Sequence, residues 1–69
     1  MKATYKVSKT PSHLVKMGTD PFTITYMVGN FPDWDYERKV RKHFYKTEVA
    51  AHEAGKRYLR KMKKNGFTV

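Results

Sequence analysis

Phe22-Thr23-Ile24-Thr25-Tyr26-Met27-Val28 alternates strictly, with Phe22, Ile24, Tyr26 and Val28 on one side and Thr23, Thr25 and Met27 on the other. A two-residue period of β-branched and aromatic side chains is the pattern of a half-buried β-strand. Toward the N-terminus, Ala3, Tyr5 and Val7 alternate with Thr4, Lys6 and Ser8, which predicts a partner strand. The stretch between them, from Lys9-Thr10-Pro11-Ser12 to Asp20-Pro21, carries turn residues and proline and reads as a loop. Toward the C-terminus, Gly29-Asn30-Phe31-Pro32-Asp33 reads as a second loop. Beyond it, Trp34, Tyr36, Val40 and Phe44 share one parity, and Asp33, Asp35, Glu37, Lys39, Arg41, His43 and Tyr45 share the other, which predicts a third strand. Arg38 and Lys42 interrupt its apolar side, accommodated either by snorkelling on their long stems or by a bulge.

The period changes after Thr47. Ala51, Ala54, Gly55, Tyr58 and Met62 recur at steps of three and four, flanked by Ala50 and Leu59, and predict an amphipathic helix. Thr47 is placed to cap its orphan amides and Glu48 to meet the positive end of its dipole. Asn65-Gly66 is the expected stop, with Phe67 folding back toward Met62. The small side chains of the first turns allow a close approach to a sheet. The expected architecture is α+β: a three-stranded antiparallel sheet with one C-terminal helix packed on one face, in the order β-β-β-α.

With 69 residues the chain has room for one small core, so residues 1–69 are expected to form a single domain. Aromatics at 14% argue against intrinsic disorder. Cysteine is absent, which excludes disulfides, thiol catalysis and thiolate metal sites. No apolar run is long enough to span a bilayer, and Met1-Lys2-Ala3-Thr4-Tyr5-Lys6 is no signal-peptide core, so the expected location is the cytoplasm. The net charge is +9, and its distribution is uneven. Lys2, Lys6, Lys9 and Lys16 are balanced by Asp20, Asp33, Asp35 and Glu37, whereas residues 38–69 hold eleven bases against Glu48 and Glu53. A local field of that sign favours a polyanionic partner.

If the helix covers Tyr5, Ile24, Tyr26, Val40 and Phe44, the other sheet face displays Lys6, Thr23, Thr25, Met27, Lys39, Arg41, His43 and Tyr45. Strands can enter the DNA major groove, where Arg and Lys bond guanine edges and hydroxyls bond phosphates or bases. The alternative is an ordinary solvated sheet face. Lys56, Arg57, Arg60 and Lys64 offer a second, phosphate-tracking surface on the helix, beyond what complementing its C-terminal dipole requires. Such a helix can also lie on an anionic membrane, but its apolar stripe is Ala-rich and is needed by the sheet. Asp33, Asp35 and Glu37 lack the glycine and further oxygen ligands of a calcium loop, and His13, His43 and His52 lack metal-ligand spacing. With no phosphate-cradling glycine loop and no nucleophile elbow, neither catalysis nor a cofactor is expected.

Val40-Arg41-Lys42-His43-Phe44-Tyr45-Lys46-Thr47, followed by Ala51, Ala54 and Gly55, resembles the small three-stranded DNA-binding domains at the N-termini of phage and transposon tyrosine recombinases, which are similar in turn to plant AP2-type domains. The resemblance implies a sheet docked in the major groove with Lys39, Arg41, His43 and Tyr45 on the DNA. It covers roughly the last half of the chain. Departures are the long connection over residues 9–21 and the lack of a catalytic domain after Val69. In size the chain also looks like the small proteins with which phages inhibit a host enzyme, nuclease or defence complex.

The expected function is a nucleic-acid-binding module for duplex DNA, using the basic sheet face and the basic helix. The alternative is an inhibitor whose basic face docks on an acidic host protein. A third reading is RNA binding, with bases stacked on Tyr45. Exposure of Trp34 or Phe31 would favour a protein interface, and a continuous basic sheet face would favour DNA.

Overall fold

A computed structural model describes residues 1–69. The elements run β1 (Ala3–Lys9), α1 (Ser12–Lys16), β2 (Phe22–Val28), β3 (Phe31–Pro32), α2 (Trp34–Val40), β4 (Phe44–Tyr45) and α3 (Glu48–Lys64). The fold is α+β, an antiparallel sheet covered on one face by the C-terminal helix. Strands β1 and β2 pair along their whole length, from Ala3 opposite Val28 to Lys9 opposite Phe22. The other edge of β2 is shared: β3 takes its C-terminal end, Val28 opposite Phe31, and β4 its N-terminal end, Phe22 opposite Tyr45.

The segment expected to be the third strand is therefore mostly helix. Asp33 ends the β3 turn and caps α2, its Oδ1 accepting from the Tyr36 amide at 3.2 Å. Asp35 and Glu37 occupy the first turn and Arg38 and Lys39 the last, an arrangement that suits the helix dipole at both ends. Tyr36 and Val40, one turn apart, pack against the core. Arg41 then closes α2 in the left-handed region, φ 55°, and the chain returns to β2 for only two residues of β4. Arg38 and Lys42, the interruptions in the supposed strand, need neither snorkelling nor a bulge.

The detour also resets parity. Because Tyr45 pairs with Phe22, it shares the core face with Ile24 and Tyr26 and is buried, while Phe44, opposite Thr23, takes the other side. Both side chains stand opposite to the expectation, as a one-residue shift in register requires. The connection over residues 9–21 is not all loop: it contains the single short helix α1. Its two ends are pinned at Thr10, whose buried hydroxyl donates to the Asp20 carbonyl at 2.8 Å.

Helix α3 forms as expected. Thr47 Oγ1 accepts from the Ala50 amide at 3.1 Å, and at the other end Phe67 N donates to Met62 O at 3.0 Å and Gly66 N to Lys63 O at 3.1 Å. This paired closure, with Gly66 at φ 89°, is a Schellman motif. Its buried face is Ala51, Ala54, Gly55, Tyr58 and Met62. Tyr26, Tyr36 and Tyr58 form the centre of the core, with ring centroids 4.6–4.7 Å apart in tilted and edge-on arrangements. The Tyr58 hydroxyl donates to Asp33 Oδ2 at 3.0 Å, so one carboxylate both caps α2 and ties it to α3.

At Gly55 the helix lies hard against the sheet, since a Cβ added there would fall into the ring of Tyr5. Alanine is the better helix former by about 1 kcal/mol, whereas overpacking a tight contact costs about 1–3 kcal/mol. Gly55→Ala is therefore expected to lower the urea midpoint, and Tyr5→Leu in the same chain to recover part of the loss. A Gly55→Ala variant more stable than the parent would show that the ring yields freely.

Candidate nucleic-acid interface

The uncovered sheet face carries Thr4, Lys6 and Ser8 from β1, Thr23, Thr25 and Met27 from β2, and Phe44 from β4. Lys6, opposite Thr25, is the one base among these positions. Thr10 Oγ1 spends its proton on Asp20, so at 2.8 Å it accepts from the Thr23 hydroxyl, which is thereby committed inside the protein. Lys39 is exposed in the last turn of α2, Arg41 is its C-terminal cap, His43 lies in the link to β4 with its carbonyl accepting from Ile24 N at 3.0 Å, and Tyr45 is in the core. The structure thus takes all four residues expected to line the groove-facing sheet off that face, keeping only Arg41 and His43 beside one another, and the face is hydroxyl-bearing rather than cationic.

The helix keeps its charge together. Lys56, Arg57, Arg60, Lys61, Lys63 and Lys64 are all exposed on α3. Arg57, Arg60, Lys61 and Lys64 by themselves line a shallow depression of about 400 Å³, with no acid among them. They follow steps of three and four, so they form one strip along the helix, about 10 Å from Arg57 to Lys64 at 1.5 Å per residue. Lys61 Nζ lies 5.4 Å from the Tyr36 ring centroid, which steadies its stem against α2. Glu53, the acid nearest in sequence, stands 3.8 Å from Lys56 on the solvent side, in a pair too exposed to hold much. Beneath this strip, burial pushes the phenols of Tyr26, Tyr36 and Tyr58 above their ordinary range, so they remain neutral packing groups and donors.

A second concave surface lies around α2. Trp34, Glu37, Arg38, Arg41 and His43 line a hollow of about 810 Å³, and Arg41 and His43 also border an adjoining one with Lys42 and Phe44. Trp34 is 63% exposed. Arg38 pairs with Asp35 at 2.8 Å, both largely in water, so the pair is weak. Sequence parity placed Trp34 on the buried side. The signal that it belongs elsewhere is Pro32-Asp33, a helix-capping residue immediately before it.

A third hollow, of about 410 Å³, is mainly apolar, with Met1, Val28, Phe31, Trp34 and Phe67 in its walls, and Phe31 is 70% exposed. His52 serves packing: its Nδ1 and the Tyr5 hydroxyl share a hydrogen bond at 3.0 Å, and Nε2 faces Glu48 at 3.6 Å. No group of three or more His, Asp or Glu is close enough to hold a metal ion, and no helix is long and apolar enough to cross a membrane. Comparison of the chain with known protein families, characterised proteins and solved structures returned no match.

Proposed function

We propose that the chain is a nucleic-acid-binding module that grips the phosphate backbone through the outer face of α3, with duplex DNA as its target. The observation that carries this reading is the depression formed by Arg57, Arg60, Lys61 and Lys64 alone. Four cations within two turns repel one another unless a polyanion or its counterions lie over them, and guanidinium groups stay charged at any working pH. A helix fits the major groove, or can follow one strand of phosphates across it. The sheet then acts as a scaffold that presents the helix, and Lys6 and Thr25, on its other face, point away from the contact.

The test is a salt titration. Each phosphate neutralised on duplex DNA lowers log affinity by about 0.9 per tenfold increase in salt, so four contacts predict a slope near −3.6, measured by fluorescence anisotropy. Failure to bind any nucleic acid at low salt, in protein shown folded by circular dichroism, would overturn the reading.

The exposure of Trp34 and Phe31, set out above as the mark of a protein interface, and the single base on the sheet face favour a second reading, an inhibitor that docks on an acidic host protein with an aromatic anchor beside the apolar hollow. Packing of that kind is not screened by salt, so a complex surviving where DNA binding is lost would identify it.

A further inference from the structure

We propose that the hollow lined by Trp34, Glu37, Arg38, Arg41 and His43 receives an unpaired nucleobase, stacked on Trp34, with the adjacent phosphates held by Arg41 and His43. This rests on the nucleic-acid reading above and adds to it a second contact, for a strand that leaves the duplex. Trp34 is the chain's single tryptophan, and it stands exposed beside three side chains able to carry positive charge. An aromatic face next to cations is how single strands are held without regard to sequence, the bases stacking and the phosphates following the charge. Tyr45, the stacking residue expected from sequence, is buried and cannot serve.

Two further features favour a base over a bare phosphate. Glu37 stands in the same hollow, where it would repel a lone anion but can accept from the amino group of a base. The hollow, about 810 Å³, is open to solvent and has room for a planar base laid against Trp34. Arg41 also occupies a left-handed position, φ 55°, where glycine or asparagine would be less strained. Its side chain borders both this hollow and the adjoining one, as does His43, and the adjoining one is lined by Lys42 and Asp20 as well.

Three DNAs test the proposal: a blunt duplex, the same duplex with a single-stranded cytosine tail, and the duplex with an abasic tail of equal charge. Binding is read by anisotropy. Trp34 is the chain's single tryptophan, so its fluorescence reports the two hollows it borders, and Phe31→Ala, which alters only the apolar one, should leave the quench in place. The cytosine tail is expected to tighten binding roughly five- to a hundredfold, the range for one stacked base, and to quench Trp34. The abasic tail should do neither, and Trp34→Ala should abolish the difference between tailed and blunt DNA. A cytosine tail that adds no affinity, leaves the fluorescence unchanged, or is matched by the abasic tail overturns the nucleobase site while blunt-duplex binding preserves the α3 reading. Binding of none of the three overturns both.

Discussion

Tyr58→Ala is expected to leave little cooperatively folded protein at 25 °C. Tyr58 is fully buried, packs against the rings of both Tyr26 and Tyr36, and donates its hydroxyl proton to the carboxylate that caps α2. Truncating a buried aromatic costs about 3–5 kcal/mol, from lost transfer energy and from the cavity left behind. Only 10 of the 69 residues are buried, and a domain of this size without staples rarely holds more than about 3–5 kcal/mol in all. The loss therefore matches the whole stability. Tyr58→Phe keeps the ring and removes only the hydroxyl, which lies 3.2 Å from the Met27 carbonyl and whose bond to Asp33, a charged acceptor, is worth about 1.5–3 kcal/mol. That variant should remain folded with a lower melting temperature. Far-UV circular dichroism during urea unfolding separates the two, and a Tyr58→Ala protein that unfolds at the parent's midpoint would mean that the tyrosine cluster does not hold the helices to the sheet.

The second large effect is on binding. Arg57→Glu with Arg60→Glu removes two cations from the α3 strip and adds two anions, while both positions face solvent and leave the buried stripe untouched. At about 50 mM salt, counterion release makes each phosphate contact worth about one decade of affinity, so the pair should weaken duplex binding by about a hundredfold or more. Lys6→Glu with Lys39→Glu changes the net charge equally, but one residue lies on the sheet and the other on α2. If α3 makes the contacts, this second pair should weaken binding only a few-fold. Equal losses from both pairs would mean diffuse attraction to the whole basic surface and end the claim for a helix interface.

The pattern of which residues were legible follows from the range of the forces involved. Strands β1 and β2 and helix α3 could be read directly, including the Thr47 cap, the Gly66 closure and the buried face from Ala51 to Met62, because each is set by side chains within a turn or two of one another. The uneven charge was equally plain, and it led to Lys56, Arg57, Arg60 and Lys64, which a continuous helix necessarily keeps on one side.

Residues 33–45 were misread because Tyr36, Val40 and Phe44 are four apart, a spacing that satisfies a strand face and a helix face alike. What decided between them lies elsewhere in the chain: Tyr58 reaches across to bond Asp33, and Tyr26 supplies the ring on which Tyr36 packs. Helix α2 then carried Lys39 and Arg41 off the sheet, turned Tyr45 into the core and left Trp34 in solvent. The sequence alone determined the local elements and the sign and place of the charge. Tertiary packing decided which face of residues 33–45 is buried, and with it the make-up of both candidate surfaces, because a period of four is ambiguous until a partner from a distant element occupies one of its two faces.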